Sequence, residues 1–335
     1  MTASGKDTPK SNALHLDDFS VKQDTVQHSV PKYYGEALLA AARANLSILA
    51  LTADLTAPTE TDLVRDHLPN QFIMAGIAEA NMVGVGAGLA RAGFIPFVHS
   101  FSVFLSRRSF DQIAMQVAYP KTNVKLVGFM PGIDSLLGVS HQAIDDIALM
   151  RTLPNMTVLE PASPADYEDA VAATLAHEGP VYLRLYRATK QDLRPNNLPS
   201  LHVGKIRCLH TGSDAAIFAT GLMVEQALHA AINLKQQGIN ASVIDCASIK
   251  PLDIEGILNV IKQSKIIVSA ENHSVVGGLG SAIAEVMASS NIARPFFRIG
   301  VQDCFAEGGS RDFLFKKYGL TADAITAKIK QAIPS

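Results

Sequence analysis

Short apolar runs alternate with longer helix-like stretches along most of the chain, and this alternation constrains the fold more than any other feature. In the first half LSILALTADL (46–55), QFIMAG (71–76), FIPFVHSF (94–101), VKLVGFM (124–130), MTVLEPAS (156–163) and VYLRLYR (181–187) read as strands. Residues 77–91, 101–118, 140–153 and 163–179 read as helices between them, with Ser140 and Ser163 as caps of the last two. A second set follows. Residues 213–238 give a strand and a helix stopped by Gly238, and strands are predicted in 239–253, 264–272 and 293–301. A glycine-rich turn, HSVVGGLGSAI (273–283), leads into one more helix. Strands interleaved with helices imply an α/β chain whose sheets are mostly parallel and covered on both faces.

The 335 residues are enough for two cores of about 150 residues each. Residues 188–204 are polar and hold Pro195 and Pro199, a linker composition. The expected division is a polar flexible arm (1–29), a first domain (30–187), the linker (188–204) and a second domain (205–335). The arm has no apolar signal core. A net charge of −2 does not suit a nucleic-acid or anionic-membrane surface, and no window of about 18 apolar residues offers a membrane span. Cys208, Cys246 and Cys304 are odd in number and far apart, without metal-like spacing. They are expected to be reduced thiols in a cytoplasmic protein.

Glu79 stands out against this background. From Phe72 to Leu89 nearly every neighbour is apolar or glycine, and a helix apolar all round is expected to be buried. A carboxylate there is costly without a hydrogen-bond partner. Two readings stay open on the residues alone. One is a structural acid held by backbone or by a nearby arginine; the other is an acid placed for chemistry.

The segment GIAEANMVGVGAGLA (76–90) resembles the motif that opens the key helix of the pyrimidine-binding domain in transketolases and 1-deoxyxylulose-phosphate synthases. The resemblance implies thiamine diphosphate as cofactor. The acid matching Glu79 would hydrogen-bond a ring nitrogen of the aminopyrimidine and favour its imino form. That form takes the proton from the thiazolium carbon, and the organic chemistry is the cofactor's own. FVHSFSVFLSRRSFDQI (97–113) resembles the segment whose two phenylalanines wall the pyrimidine pocket, matching Phe101 and Phe104. At i and i+3 on a helix such rings share a face and can clasp a flat heterocycle; without the Glu79 motif they would read as core aromatics. LTADLTAP (51–58) is similar to the stretch that brings Asp54 and Leu55 toward the cofactor. SHQAIDDIALMRTLPNMTVLEPAS (140–163) resembles the stretch carrying a substrate-side histidine, matching His141. VYLRLYR resembles the strand whose last arginine grips a substrate phosphate, matching Arg187, and Lys32 falls near another phosphate-binding position.

Three departures bear on the substrate. GIDSLLGVSHQ (132–142) has Leu136 and Leu137 where the family carries an acidic pair that recognises a sugar hydroxyl. Leucine cannot accept that hydrogen bond, so a less hydroxylated or otherwise unusual substrate is expected. Phe129 stands where the family often has a substrate-binding histidine, and Ala80 where it often has Gln or His.

The family's metal and diphosphate ligands lie in a Gly-Asp-Gly motif followed by an Asn, and no Gly-Asp-Gly occurs in this chain. The resemblance, from about Lys32 to Leu320, therefore implies a split enzyme. An N-terminal transketolase subunit would supply the diphosphate site and the Mg²⁺ or Ca²⁺, in a heterotetramer with two of each chain. No metal ligand is expected here, and the small residues of helix 76–92 would admit a partner helix. The turn 273–283 reads as close packing, not an anion site. The expected activity is transfer of a two-carbon ketol unit between sugar-phosphate-like substrates. The alternatives are the beta subunit of a 2-oxo-acid dehydrogenase, a 1-deoxyxylulose-phosphate-synthase-like enzyme, or a half that has lost activity.

Overall fold

In a computed structural model of the protein, residues 31–187 and 199–333 are described. The expected arm (1–29) and residues 188–198 of the expected linker lie outside them. The strands are β1 (Ile48–Thr52), β2 (Phe72–Met74), β3 (Ile95–Phe101), β4 (Lys125–Phe129), β5 (Thr157–Leu159), β6 (Val181–Leu185), β7 (Arg207–His210), β8 (Ala215–Ala219), β9 (Ala241–Asp245), β10 (Ser248–Lys250), β11 (Ile266–Ser274) and β12 (Phe296–Val301). The helices are α1 (Tyr33–Ala44), α2 (Asp62–His67), α3 (Glu79–Arg91), α4 (Ser102–Arg108), α5 (Phe110–Gln112), α6 (Asp146–Thr152), α7 (Tyr167–Ala176), α8 (Met223–Lys235), α9 (Ile254–Gln263), α10 (Leu279–Ser289), α11 (Arg311–Tyr318) and α12 (Ala322–Ala332).

Two sheets result, each flanked by helices, as the alternation implies. The first has the order β10-β5-β6-β4-β3-β1-β2 and the second β12-β11-β8-β9-β7. Strands β1, β4, β6, β8 and β9 are buried at every residue. That is the expected state of a parallel strand with helices on both faces. Among the strands of the described residues, only β10 against β5 and β7 against β9 pair antiparallel.

The structure corrects several local expectations. INASVIDCASIKPLD does not form one strand. It breaks after Asp245, so that β9 stays in the second sheet while β10 crosses to the edge of the first. Leu201 and Ala247 likewise pack into the first domain's core. The second half of the chain therefore completes the first half's sheet.

Ser140 caps no helix. It sits in a 3₁₀ turn with its hydroxyl 2.9 Å from His141 Nδ1, and α6 begins only at Asp146. Ser163 makes no capping bond either; a 3₁₀ turn over Pro164–Asp166 precedes α7. The stretch 101–118 is not one helix but α4, α5 and a π-turn at Ile113–Ala118. Helix α3 is not buried all round within this chain: Asn81, Val85 and Gly88 are exposed on it, as is Ile77 just before it.

The seam between the two halves is charged and dry. Arg184, on β6 and fully buried, donates from Nε to Asp146 at 2.8 Å and from Nη2 to the Asn272 carbonyl at 2.9 Å. Its Nη1 pairs with Glu160. Asn272 Oδ1 accepts from Ile133 N at 3.0 Å, and Gly132, at φ +66°, has no room for a Cβ beside the Asn272 side chain. The glycine-rich turn is close packing, as expected. Gly277 abuts Ala148 of α6, and the first amides of α10 are taken by Glu271, which accepts from Leu279 N at 2.7 Å and Gly280 N at 2.9 Å.

Burial raises the Glu271 carboxyl to about 7, partly offset by those two amides. The folded protein therefore holds a proton that the unfolded chain releases near pH 4.5, and the stability tied to it is lost as pH rises toward 7. Glu271→Gln should accordingly gain stability relative to the wild type by about 3 kcal/mol between pH 4.5 and 7, at about 1.4 kcal/mol per unit. Urea unfolding at several pH values measures this, and a difference that stays constant with pH would refute it.

Candidate active site

The site is built where β3 passes directly into α4. Phe101 ends the strand and Phe104 lies in the first turn of the helix, so both rings fall on one side. Their centroids are 5.9 Å apart, tilted by 36°. The His141 ring stands edge-on to both, 6.1 Å from Phe101 and 5.1 Å from Phe104. These three predicted residues are brought together by the structure.

Glu79 is the first residue of α3, where a carboxylate is favoured by the helix dipole. It is 4% exposed. Arg108 Nη1 donates to Glu79 Oε1 at 3.1 Å and Oε2 at 3.3 Å, and Ser100 Oγ lies 3.5 Å from Oε1. The Arg108 guanidinium also lies over the Phe104 ring, 4.2 Å from its centroid. Glu79, Arg108, Phe104, Phe101 and His141 thus form one contiguous chain of contacts. The sequence held a signal for Arg108 in the pair Arg107–Arg108, two cations inside a segment that otherwise reads as a packed helix.

Asp54 sits in the turn after β1 with φ +58°, and its side chain is exposed. Leu55 is half-buried against the core that also holds Phe101 and Phe104. The two predicted cations gather elsewhere. Lys32 pairs with Asp62, and both Lys32 and Arg187 lie close enough to Glu60 to pull its carboxyl down against the larger upward push of burial. Glu60 Oε2 accepts from Gly35 N at 2.9 Å. Neither cation is among the partners of Glu79.

His99, which no sequence pattern marks, is fully buried on β3 between the Tyr34 hydroxyl (2.6 Å) and the Leu51 carbonyl (2.9 Å). Burial lowers it to about 4, so it is a neutral imidazole at pH 7. Phe129 is also fully buried, edge-on to Tyr34 at 5.4 Å. It offers nothing polar to a ligand.

The loop carrying Leu136 and Leu137 is held from the second half of the chain. Asp134 pairs with Arg311, whose Nε donates at 2.9 Å, and Gln142 Nε2 donates to the Glu307 carbonyl at 3.0 Å. Leu136 and Leu137 are 73% and 62% exposed. Among the described residues no three His, Cys, Asp or Glu side chains gather as a metal-binding group. No helix among them is long and apolar enough to cross a membrane.

The sequence profile of the transketolase pyrimidine-binding domain matches residues 27–193, and that of the transketolase C-terminal domain matches 204–325. The chain belongs to the transketolase family. It is 44% identical over 308 residues to the 6-deoxy-6-sulfo-D-fructose transketolase subunit SqwH of Clostridium sp. strain MSTE9, covering 92% of this chain and 94% of that one. One subunit of the apulose-4-phosphate transketolase of Phocaeicola vulgatus is 34% identical over 295 residues, 88% of this chain and 94% of its own. A solved structure described as a split-gene transketolase, an inactive beta4 tetramer, superposes with a TM-score of 0.81 at 41% identity, covering 90% of this chain and 96% of that chain. The 1-deoxy-D-xylulose-5-phosphate synthase of Synechococcus sp. strain JA-2-3B'a(2-13) is more distant, at 33% identity over 90% of this chain but 47% of its own length. Transketolase relatives that are themselves subunits are thus matched nearly end to end.

The way this transketolase-family site is braced yields a prediction. Arg311→Ala removes the tie from the second domain to Asp134. Amide hydrogen exchange in residues 133–139 should then quicken at least about tenfold, which corresponds to about 1.4 kcal/mol, while α3 is unaffected. Unchanged exchange in that loop would show that Arg311 does not hold it.

Proposed function

We propose that this chain is the pyrimidine-binding subunit of a split, thiamine-diphosphate-dependent transketolase that moves a two-carbon ketol unit between sugar-phosphate-like substrates. The observation that carries the proposal is Glu79, a nearly buried carboxylate at the mouth of α3, joined through Arg108 to a pair of neighbouring aromatic rings. A planar, basic heterocycle needs such an acceptor at its edge and such an aromatic face. When bound, the cofactor supplies the nucleophilic carbon and the electron sink. Glu79 would hold or share a proton at a ring nitrogen through Oε1 or Oε2. Phe101 and Phe104 would wall the ring and keep water away, and Asp54 and Leu55 would border it. His141, edge-on to both rings, would face the substrate side.

Arg187 and Lys32, grouped around Glu60 and Asp62, would meet the anionic end of the substrate. The relatives' names span a sulfonated sugar and a phosphorylated one. A fork of fixed donors serves either group. The exposed Leu136 and Leu137 favour a substrate with fewer hydroxyls than an ordinary pentose phosphate.

The N-terminal subunit would supply the diphosphate site with Mg²⁺ or Ca²⁺, and two of each chain would make a heterotetramer. The outward face of α3, with Val85 and Gly88, and Ile77 just before the helix suit burial against that subunit.

Two measurements test the reading. Glu79→Gln in the assembled complex should lower turnover at least about a hundredfold, the usual scale of a lost proton-transfer group. Full turnover by the variant would overturn the assignment. Mass measurement after co-expression should give two copies of each chain, with this chain alone inactive; activity of this chain by itself would refute the split arrangement.

A further inference from the structure

We propose that Arg108 is a stand-in for the cofactor's ring: it occupies the edge acceptor and the aromatic face that the heterocycle needs, and it swings out when the cofactor enters. The inference rests on the reading of the site given above. It starts from one side chain making two contacts. The guanidinium of Arg108 binds both oxygens of Glu79, at 3.1 and 3.3 Å, and the same group lies 4.2 Å from the centroid of Phe104. Guanidinium and aminopyrimidine are both flat, both carry N–H donors at the edge, and both stack on aromatic faces. Contacts this close leave no space for a second plane between Arg108 and Phe104, so the two occupants exclude each other.

The pair is also asymmetric in the way such an exchange requires. Glu79 is 4% exposed and fixed at the start of α3, whereas the Arg108 side chain is 50% exposed. Arg108 is the last residue of α4. The next residue, Ser109, leaves helical geometry with φ −114° and ψ 14°. The arginine can therefore rotate into water at a helix end without unpacking a core. Its resting position has a physical cause: a buried carboxylate without a partner is strongly disfavoured, and before the cofactor arrives Arg108 is that partner.

A competitor inside the protein weakens apparent affinity in proportion to the fraction of molecules whose site it fills. Arg108→Gln should then bind thiamine diphosphate about tenfold more tightly, equivalent to about 1.4 kcal/mol. The measurement is a circular-dichroism or calorimetric titration of thiamine diphosphate with Mg²⁺ into the complex of this chain with its N-terminal subunit. The cofactor-free variant should also unfold at a lower temperature than the cofactor-free wild type, with the gap closing on saturation. Affinity equal to or weaker than the wild type would overturn the proposal, because an arginine that supports the bound ring gives that sign. Arg108→Lys, which keeps the stem and charge but loses the planar fork, covers the case in which the first variant does not fold. It should tighten binding about threefold, and unchanged or weaker affinity again overturns the proposal. Absence of thiamine diphosphate binding by the wild-type complex would instead defeat the cofactor reading itself.

Discussion

Arg184 is the interaction on which the rest of the structure depends. It is a fully buried guanidinium, surrounded by Asp146, Glu160 and the carbonyls of Ala143 and Asn272. The first three partners belong to the first domain and Asn272 to the second. Breaking such a buried arrangement from one side typically costs about 3–5 kcal/mol, because the charges left behind have no solvent. Arg184 therefore ties the backbone of β11 at Asn272 to the first sheet. Asn272, at the end of that reach, fixes Ile133 and leaves space only for glycine at 132.

The placement of the site follows from this seam. The chain leaves β4, passes Gly132 and Ile133, runs through the Leu136–Leu137 loop to His141 and enters α6, whose first residue Asp146 returns to Arg184. The loop is anchored at both ends by the seam and, just inside those ends at Asp134 and Gln142, by Arg311 and the Glu307 carbonyl. His141 is thus held against Phe101 and Phe104 by residues more than 100 positions away in sequence. The second domain contributes nothing to the aromatic wall itself, yet it holds the loop on which the histidine stands.

This division explains what could be read from the sequence. The parallel sheets were legible because largely apolar runs such as ILALT and KLVGF demand cover on both faces. Glu79, Phe101, Phe104 and His141 were legible because a motif and a spacing marked them. The crossing of β10 was not. Only three residues long, it has no periodicity of its own, and its partner β5 lies about 90 residues earlier. The Ser140 cap failed because a serine before an apolar run looks the same whether a helix or a 3₁₀ turn follows, and here the loop's tether decides. The all-round apolar character of α3 predicted burial. Within this chain, one side instead faces out with Asn81, Val85 and Gly88. The same composition serves a helix buried by its own fold and one left open for another chain. Arg108 and Glu60 went unseen because their meaning lies in contacts between separate elements.

The protein treats its buried acids in two ways, and the contrast fits the role proposed for Glu79. At the seam, one arginine faces Asp146 and Glu160, with Glu271 and His273 close by. Burial pushes the carboxyls of Glu160 and Glu271 up and holds His273 down near 4, while Arg184 keeps the buried Asp146 carboxyl below its ordinary value. That arrangement is permanent, because Arg184 is itself fully buried and cannot turn out into water. Glu79 is met differently, by a cation that half faces water and sits at a helix end. A structural acid gains nothing from a partner so easily withdrawn. An acid that must later meet a ligand does, since the partner keeps the folded chain free of an unpaired charge until the ligand arrives.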